Sequence, residues 1–301
     1  MQKPEPVIGV LGATSLVGQR LLTPEIQGCE NGEENFVAFT RKKPAETPAE
    51  TRNICWCQLS GNTASGFEGS IEHWICLAPI WVLPDYFELL TQLGVRRIVV
   101  LSSTSRFTKT ESIDAAEQKI ARMLAKGEQR LTNWAEENGV AWVILRPTLI
   151  YGFGQDKNIA AVARLIRRLK FFPLLGKAKG LRQPIHADDV ATACLQALRA
   201  QTATNQAYNI SGAETLCYDE MIKRVFSAMD MQPRCLRIPN FLFRIGAACL
   251  KFLPRFRKLS MGMAERMNAD LTFSHADASR DFQFAPRTFQ LQPIDVEDRK
   301  L

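Results

Sequence analysis

Gly12, Ser15 and Gly18 follow the apolar run VIGVLG at intervals of three residues, and an amphipathic stretch comes after them. A strand that turns tightly into a helix points the helix's first free N–H groups, and the positive end of its dipole, at a phosphate. Gly12 allows the turn and Gly18 lets the helix pack close to the sheet, so the chemistry implied is the binding of a nucleotide diphosphate. Thr14, Leu16 and Val17 complete the turn. Ser15 stands where the dinucleotide pattern places its middle glycine, and brings a hydroxyl able to donate to the phosphates.

The end of the second apolar run reads FVAFTRKKP. An NAD site usually has an Asp or Glu there for the ribose 2′-hydroxyl. This turn has none. Arg41 and Lys42 instead suit the extra 2′-phosphate of NADP, so NADP is favoured over NAD; the other reading is a solvated basic loop. Three histidines, at 73, 186 and 275, have no metal-ligand spacing with one another or with cysteine, and no metal is expected. Eight cysteines form no Cys-x-x-Cys pair and read as small apolar residues of a reduced, cytoplasmic chain.

The elements that must hold these residues are legible as alternation. VIGVLG, FVAF, ICWCQL, HWICLA, RRIVVLSS and AWVILRP read as six strands separated by helical patterns. That order predicts an α/β chain with a Rossmann-type, doubly wound parallel sheet. A long helix is predicted from about Asp114 to Asn138, with Ile113, Ala116, Ile120, Met123, Leu124, Leu131 and Trp134 on one stripe. After Pro147 the texture becomes irregular. Residues 1–150 are expected to form the dinucleotide-binding domain, with 184–212 returning to it, and 151–183 with 213–301 a smaller substrate lobe.

Composition bounds the partners. The chain has 301 residues, 46% of them hydrophobic, and a formal charge of +7. That charge suits an acidic partner, or solubility alone. No nucleic-acid motif accompanies the basic residues, so no nucleic acid is expected. The first residues, MQKPEP, lack the apolar core of a signal peptide, and no apolar run approaches the roughly 18 residues of a membrane span. Residues 238–259 interleave Phe and Leu with Arg244, Lys251, Arg255, Arg257 and Lys258. They read as a cover over the substrate pocket or as an amphipathic surface meeting anionic lipid, although Pro254 breaks a continuous helix. A monomer or homodimer is expected.

The motifs GATSLVG, VVLSSTS, LRPTLIYGFGQDKN, RQPIHADDVATACLQAL, AYNISGAETLCYDEM and ASRDFQFAPRTF, in this order, span nearly the whole chain. With them the chain resembles the extended and atypical short-chain dehydrogenase/reductases, the group containing NAD-dependent epimerase/dehydratase proteins. The resemblance implies a Rossmann domain for the cofactor and a C-terminal lobe for substrate, often a nucleotide sugar. It implies Ser103 or Thr104 as the catalytic hydroxyl, and Pro147 and Thr148 beside the nicotinamide. Asn158, Arg182 and His186 fall at substrate-facing positions. Leu77, Ala78 and Pro79, ending the fourth strand, and Ser102, ending the fifth, are counted with the cofactor site.

The chain departs from that group at its acid–base pair, a Tyr and a Lys four residues apart on the long helix. Tyr86, Tyr151, Tyr208 and Tyr218 are followed four places on by Leu90, Gln155, Gly212 and Ile222. Matching the helix to the group puts Ile120 and Leu124 where the pair would stand. Lys119, Arg122, Lys126 and Glu128 lie nearby, and the apolar stripe turns most of them toward solvent. Two functions remain open: an NAD(P)-binding oxidoreductase-like enzyme of the epimerase/dehydratase type acting on a polar metabolite, or a non-catalytic NADP(H)-binding sensor or assembly factor.

Overall fold

The computed structural model describes residues 7–27, 35–41, 53–61, 63–65, 67, 69–239 and 266–298. Lys42 and most of 238–259 lie outside them. The chain runs β1 (Val7–Leu11), α1 (Leu16–Leu21), α2 (Pro24–Gln27), β2 (Asn35–Thr40), β3 (Ile54–Ser60), β4 (Thr63–Ser65) and β5 (His73–Cys76). It continues with α3 (Phe87–Gln92), β6 (Arg97–Leu101), α4 (Ser105–Thr108), α5 (Ala115–Glu137), β7 (Ala141–Pro147) and β8 (Ile150–Tyr151). Then come α6 (Ile159–Leu169), β9 (Phe172–Leu175), β10 (Leu181–Arg182), β11 (Ile185–His186), α7 (Ala187–Arg199) and β12 (Gln206–Ile210). Last are β13 (Leu216–Cys217), α8 (Tyr218–Ala228), β14 (Cys235–Ile238), α9 (Ala276–Phe282) and α10 (Pro293–Val296).

The sheet has the order β12-β7-β6-β5-β1-β2-β3-β4. All pairings are parallel except β3 with β4, a short hairpin that the sequence pattern did not announce. Strands covered on both faces read as continuous apolar runs, and β1, β2 and β6 do. Their side chains alternate between two cores. Ile8, Val10, Phe36, Ala38 and Val99 meet residues of α1 and α7 on one face. Leu11, Val37, Phe39, Ile98 and Val100 meet residues of α3 and α5 on the other. The chain moves outward in opposite directions from β1 and β5, so the crevice between them is the switch point where a doubly wound sheet takes its ligand.

A third core gathers Tyr151, Ile159, Ile166, Phe172, Ile222, Phe226, Met267 and Phe289 from the elements after β7. In α5 the buried stripe is Ala121, Leu124, Gly127, Glu128, Leu131 and Ala135. This corrects the expected stripe at its start: Ile113 precedes the helix and is exposed, and Ala116 is exposed in the first turn. Asp114 caps the helix, its Oδ1 accepting from Ala116 N at 2.9 Å.

Candidate functional site

Gly12 adopts φ +84°, a conformation that favours glycine, and a β-carbon there would stand 2.5 Å from the Ala78 nitrogen. The loops after β1 and β5 therefore meet across the switch point. A β-carbon on Gly18 would stand 2.5 Å from the Gly12 carbonyl oxygen, so the turn and its helix close only with glycine at both places. Ser15 N donates to Gly12 O at 3.0 Å, and Ser15 Oγ accepts from Gly18 N at 3.1 Å. Ser15 is thus the N-cap of α1. Its oxygen serves the helix, and only its hydroxyl hydrogen remains for a phosphate. Arg41 is exposed just past β2, on the same edge of the sheet. This donor set, a capped helix start in the crevice and an exposed guanidinium one strand away, fits a dinucleotide.

Along that edge Leu77 continues the ladder from Leu11 O (2.7 Å), with Ala78 half-buried and Pro79 exposed after it. Thr148 N donates to Ile210 O at 3.0 Å, and its hydroxyl donates to Gln183 O at 2.5 Å. Beside these turns opens a cavity of about 640 Å³. Ser102–Ser105, Thr108, Lys109 and Glu117 form one wall and Pro147–Ile150 the next. Lys157, Asn158, Arg182, Tyr218, Arg266 and Met267 are among the residues that close it from the segments after β8. The structure so brings Ser102, Ser103, Thr104, Pro147, Thr148, Asn158 and Arg182 around one space.

The three hydroxyls at the end of β6 differ in their commitments. Thr104 is buried and donates to Pro147 O at 3.1 Å. Ser103 Oγ accepts from Ser105 N at 3.1 Å, which leaves its hydrogen for the cavity. Ser102 Oγ donates to Glu128 Oε1 at 2.5 Å. Glu128, one of the four charged residues of which the stripe was expected to turn most toward solvent, is 3% exposed. It also receives Arg146 through Nε at 3.0 Å and Nη2 at 2.7 Å, and it pairs with Arg106. One carboxylate on α5 thereby ties α4, the end of β6 and β7 together directly behind the serines. Lys119, Arg122 and Lys126 are exposed, as the stripe implied. Glu128 lies four residues after Leu124 and three before Leu131, on the buried face of the helix.

Of the four tyrosines, Tyr218 lines the cavity. Burial pushes its hydroxyl up to about 12. The Arg182 guanidinium lies 5.3 Å from the centre of its ring. Arg182 is itself buried, and it donates to Leu181 O (2.6 Å), Ala269 O (2.8 Å) and Arg266 O, so it anchors the returning chain at one wall of the cavity. Asn158 Nδ2 donates to Ile150 O at 2.9 Å at the start of α6. Glu117 accepts from Ser112 Oγ at 2.8 Å and pairs with Arg266.

His186 is not among the residues around the cavity, which corrects its expected contact with substrate. It is the buried N-cap of α7, its Nδ1 accepting from Asp188 N at 3.2 Å. Its Nε2 faces Asp295 at 3.6 Å. Asp188 also takes Arg20 Nε of α1 at 2.6 Å, so this motif ties α1 to α7 and, through His186 and Asp295, to the C-terminal segment. Burial raises the Asp295 pKa, but His186 and the amides of Gln292 and Phe153 (both 2.9 Å) outweigh it and hold the carboxyl below the usual carboxylate range. A depressed pKa contributes stability above the unfolded value, near 3.9, that is lost as pH falls through the folded one. Asp295→Asn is expected to cost about 1–3 kcal/mol in urea unfolding at pH 7. The gap from the parent chain should close below about pH 4, and a gap unchanged down to pH 3 would remove this role.

Among the described residues no helix is long and apolar enough to cross a membrane, and no three His, Cys, Asp or Glu side chains gather as a metal would need. Residues 85–211 match the NAD dependent epimerase/dehydratase family. The chain is 24% identical over 161 residues to a UDP-glucose 4-epimerase of Vibrio cholerae, covering 50% of this chain and 49% of that one. It is 29% identical over 174 residues to a 2-alkyl-3-oxoalkanoate reductase of Stenotrophomonas maltophilia, covering 54% and 52%. The chain thus spans about half the length of these relatives. A UDP-glucuronic acid 4-epimerase from Bacillus cereus, solved with NAD, shares the fold with a TM-score of 0.68 at 15% identity, covering 98% of this chain and 94% of that one. The glycine turn at the switch point and the serine run beside the cavity accompany these matches: residues 85–211 resemble the NAD dependent epimerase/dehydratase family, and the fold is the one its solved neighbours share.

Proposed function

We propose that the protein is an NAD(P)-dependent oxidoreductase-like enzyme of the epimerase/dehydratase type, acting on a nucleotide sugar or a similar polar metabolite. The observation that carries this reading is the cavity itself. It adjoins the carboxyl edge of the sheet and is closed by the second lobe, so a substrate inside it lies beside a dinucleotide held along that edge. Gly12, Thr14, Ser15, Leu16, Val17 and Gly18 hold the diphosphate, and Leu77, Ala78 and Pro79 border the crevice. Ser102, Pro147 and Thr148 border the nicotinamide end. When bound, the dinucleotide supplies or accepts hydride. Ser103 polarises the substrate oxygen, and Asn158 and Arg182 shape the pocket. The similarity to a UDP-glucose 4-epimerase and to the fold of a UDP-glucuronic acid 4-epimerase supports the substrate class.

Arg41 and Lys42 select NADP through its 2′-phosphate. In thermal-shift titrations NADPH should therefore stabilise the protein at lower concentration than NADH. Arg41→Ala removes a charge-assisted contact of about 1.5–3 kcal/mol and should weaken NADPH about 10–100-fold while leaving NADH unchanged. Equal affinity for the two nucleotides in the parent chain would sink the NADP assignment. No shift with either would sink the enzyme reading.

A second reading, a nucleotide-binding protein without turnover, is favoured by one observation: Leu124 is buried and apolar where the group's lysine would stand. A structure with NADP and UDP-glucose separates the two. An apolar wall around the nicotinamide with no titratable side chain near it favours the sensor.

A further inference from the structure

We propose that Lys109 is the proton-exchanging group of the cavity, standing in for the absent tyrosine and lysine; this rests on the oxidoreductase reading above. The titratable side chains lining the cavity are Lys109, Glu117, Lys157, Arg182, Tyr218 and Arg266. Guanidinium groups do not give up protons in the working range, which removes Arg182 and Arg266. Glu117 is committed to Arg266 and to Ser112 Oγ. Tyr218 is held near 12 by burial, far above neutral pH. Lys157 is exposed to solvent. Lys109 is half-buried at the C-terminal end of α4, on the same wall as Ser103, and its backbone N–H closes the turn onto Ser105 O at 3.2 Å.

The surroundings of Lys109 suit the task. Burial disfavours its ammonium, Arg266 on the returning chain repels it, and Asp114 at the head of α5 opposes both more weakly; the outcome is a pKa below the ordinary lysine value. Glu117 is the other charge on α5 in the same wall, and Arg266 neutralises it. A lysine whose ammonium is disfavoured gives up its proton more readily than one in water, which suits it to exchange protons inside the cavity. In the reductive direction Lys109 breaks one N–H bond and gives that proton to the substrate's carbonyl oxygen. A hydride from the nicotinamide dinucleotide meets the carbonyl carbon in the same step, and the carbonyl π pair becomes the new O–H bond. The neutral amine then regains a proton from water. In the oxidative direction the amine takes the hydroxyl proton as the carbon's hydrogen leaves with its electron pair.

The first test needs neither substrate nor nucleotide. Acetic anhydride labelling of the whole chain, read peptide by peptide by mass spectrometry over pH 6–11, gives the ionisation midpoint of each amine. Lys109 should be half-ionised below the ordinary lysine value near 10.4, and a midpoint at 10.4 or above overturns the proposal. The second test follows nicotinamide absorbance with NADP and UDP-glucose. Lys109→Met should lose about 10²–10⁴-fold in rate and the limb of the pH profile that matches the labelling midpoint, while keeping the parent NADPH thermal shift. A Lys109→Met protein with the parent rate and profile overturns the proposal. Absence of any NADPH shift in the parent chain strikes the oxidoreductase reading instead, and the labelling midpoint still decides whether Lys109 is tuned.

Discussion

Glu128→Ala should unfold about 10 °C below the parent chain. The carboxylate is almost fully buried and, among the described residues, is the anion that pairs with two cations, Arg146 and Arg106, whose side chains are 14% and 31% exposed. Breaking a buried ion pair by removing one member costs about 3–5 kcal/mol, because the remaining charge stays desolvated without compensation. For a chain of this size each kcal/mol shifts the midpoint by a few degrees. Ser102 loses its acceptor at the same time. Glu128→Gln keeps the shape and an oxygen for Ser102 but not the charge, so it should fall between parent and alanine. The pairing also predicts a sign of coupling. Arg146→Ala in the Glu128→Ala background should cost less than in the parent, since it then removes a stranded charge rather than half of a pair. Urea unfolding of the two singles and the double measures this. A Glu128→Ala cost under 1 kcal/mol, or additive singles, would show that solvent reaches the cluster and that it does not lock the serine run.

The same residue marks where the sequence could and could not be read. The parallel strands were legible because a doubly covered sheet demands runs such as VIGVL and RIVVL. Glu128 was not, because a charge on a helix stripe reads as solvated until its partners are known. Those partners, Ser102, Arg106 and Arg146, lie 26, 22 and 18 residues away in sequence. His186 failed in the opposite direction. It sits in a motif that suggested substrate contact, yet its neighbours Asp188 and Asp295 make it a cap and a tie between segments. Lys109 is hidden in the sequence for a third reason. It stands at the end of α4, before the long helix on which the group carries its acid–base pair, and only the cavity places it with Ser103. Local patterns carry backbone geometry; a site built from four distant segments does not show in any one of them.

Ser103→Ala should lower the turnover number by about 10²–10³ with little change in KM. The sequence left Ser103 and Thr104 as alternatives for the catalytic hydroxyl, and their hydrogen bonds separate them. The Thr104 hydroxyl is buried and points its hydrogen at the Pro147 carbonyl, so it joins the ends of β6 and β7. Ser103 accepts from Ser105 N, which orients its oxygen and leaves its hydrogen free for a substrate oxygen in the cavity. A preorganised donor of this kind acts where charge grows on the reacting oxygen, and removing one costs about 2.7–4 kcal/mol of transition-state stabilisation. Because that charge is absent in the bound ground state, the loss falls on kcat rather than on KM. Thr104→Val should behave oppositely. It leaves the Pro147 carbonyl without its partner, costs about 1–3 kcal/mol of stability, and keeps most of the turnover below its lowered melting point. Steady-state kinetics with NADP and UDP-glucose, run beside thermal melts of both variants, distinguish the two positions. Turnover that survived in Ser103→Ala and vanished in folded Thr104→Val would transfer the role to Thr104, and the hydrogen bond to Pro147 would then have to open on substrate binding.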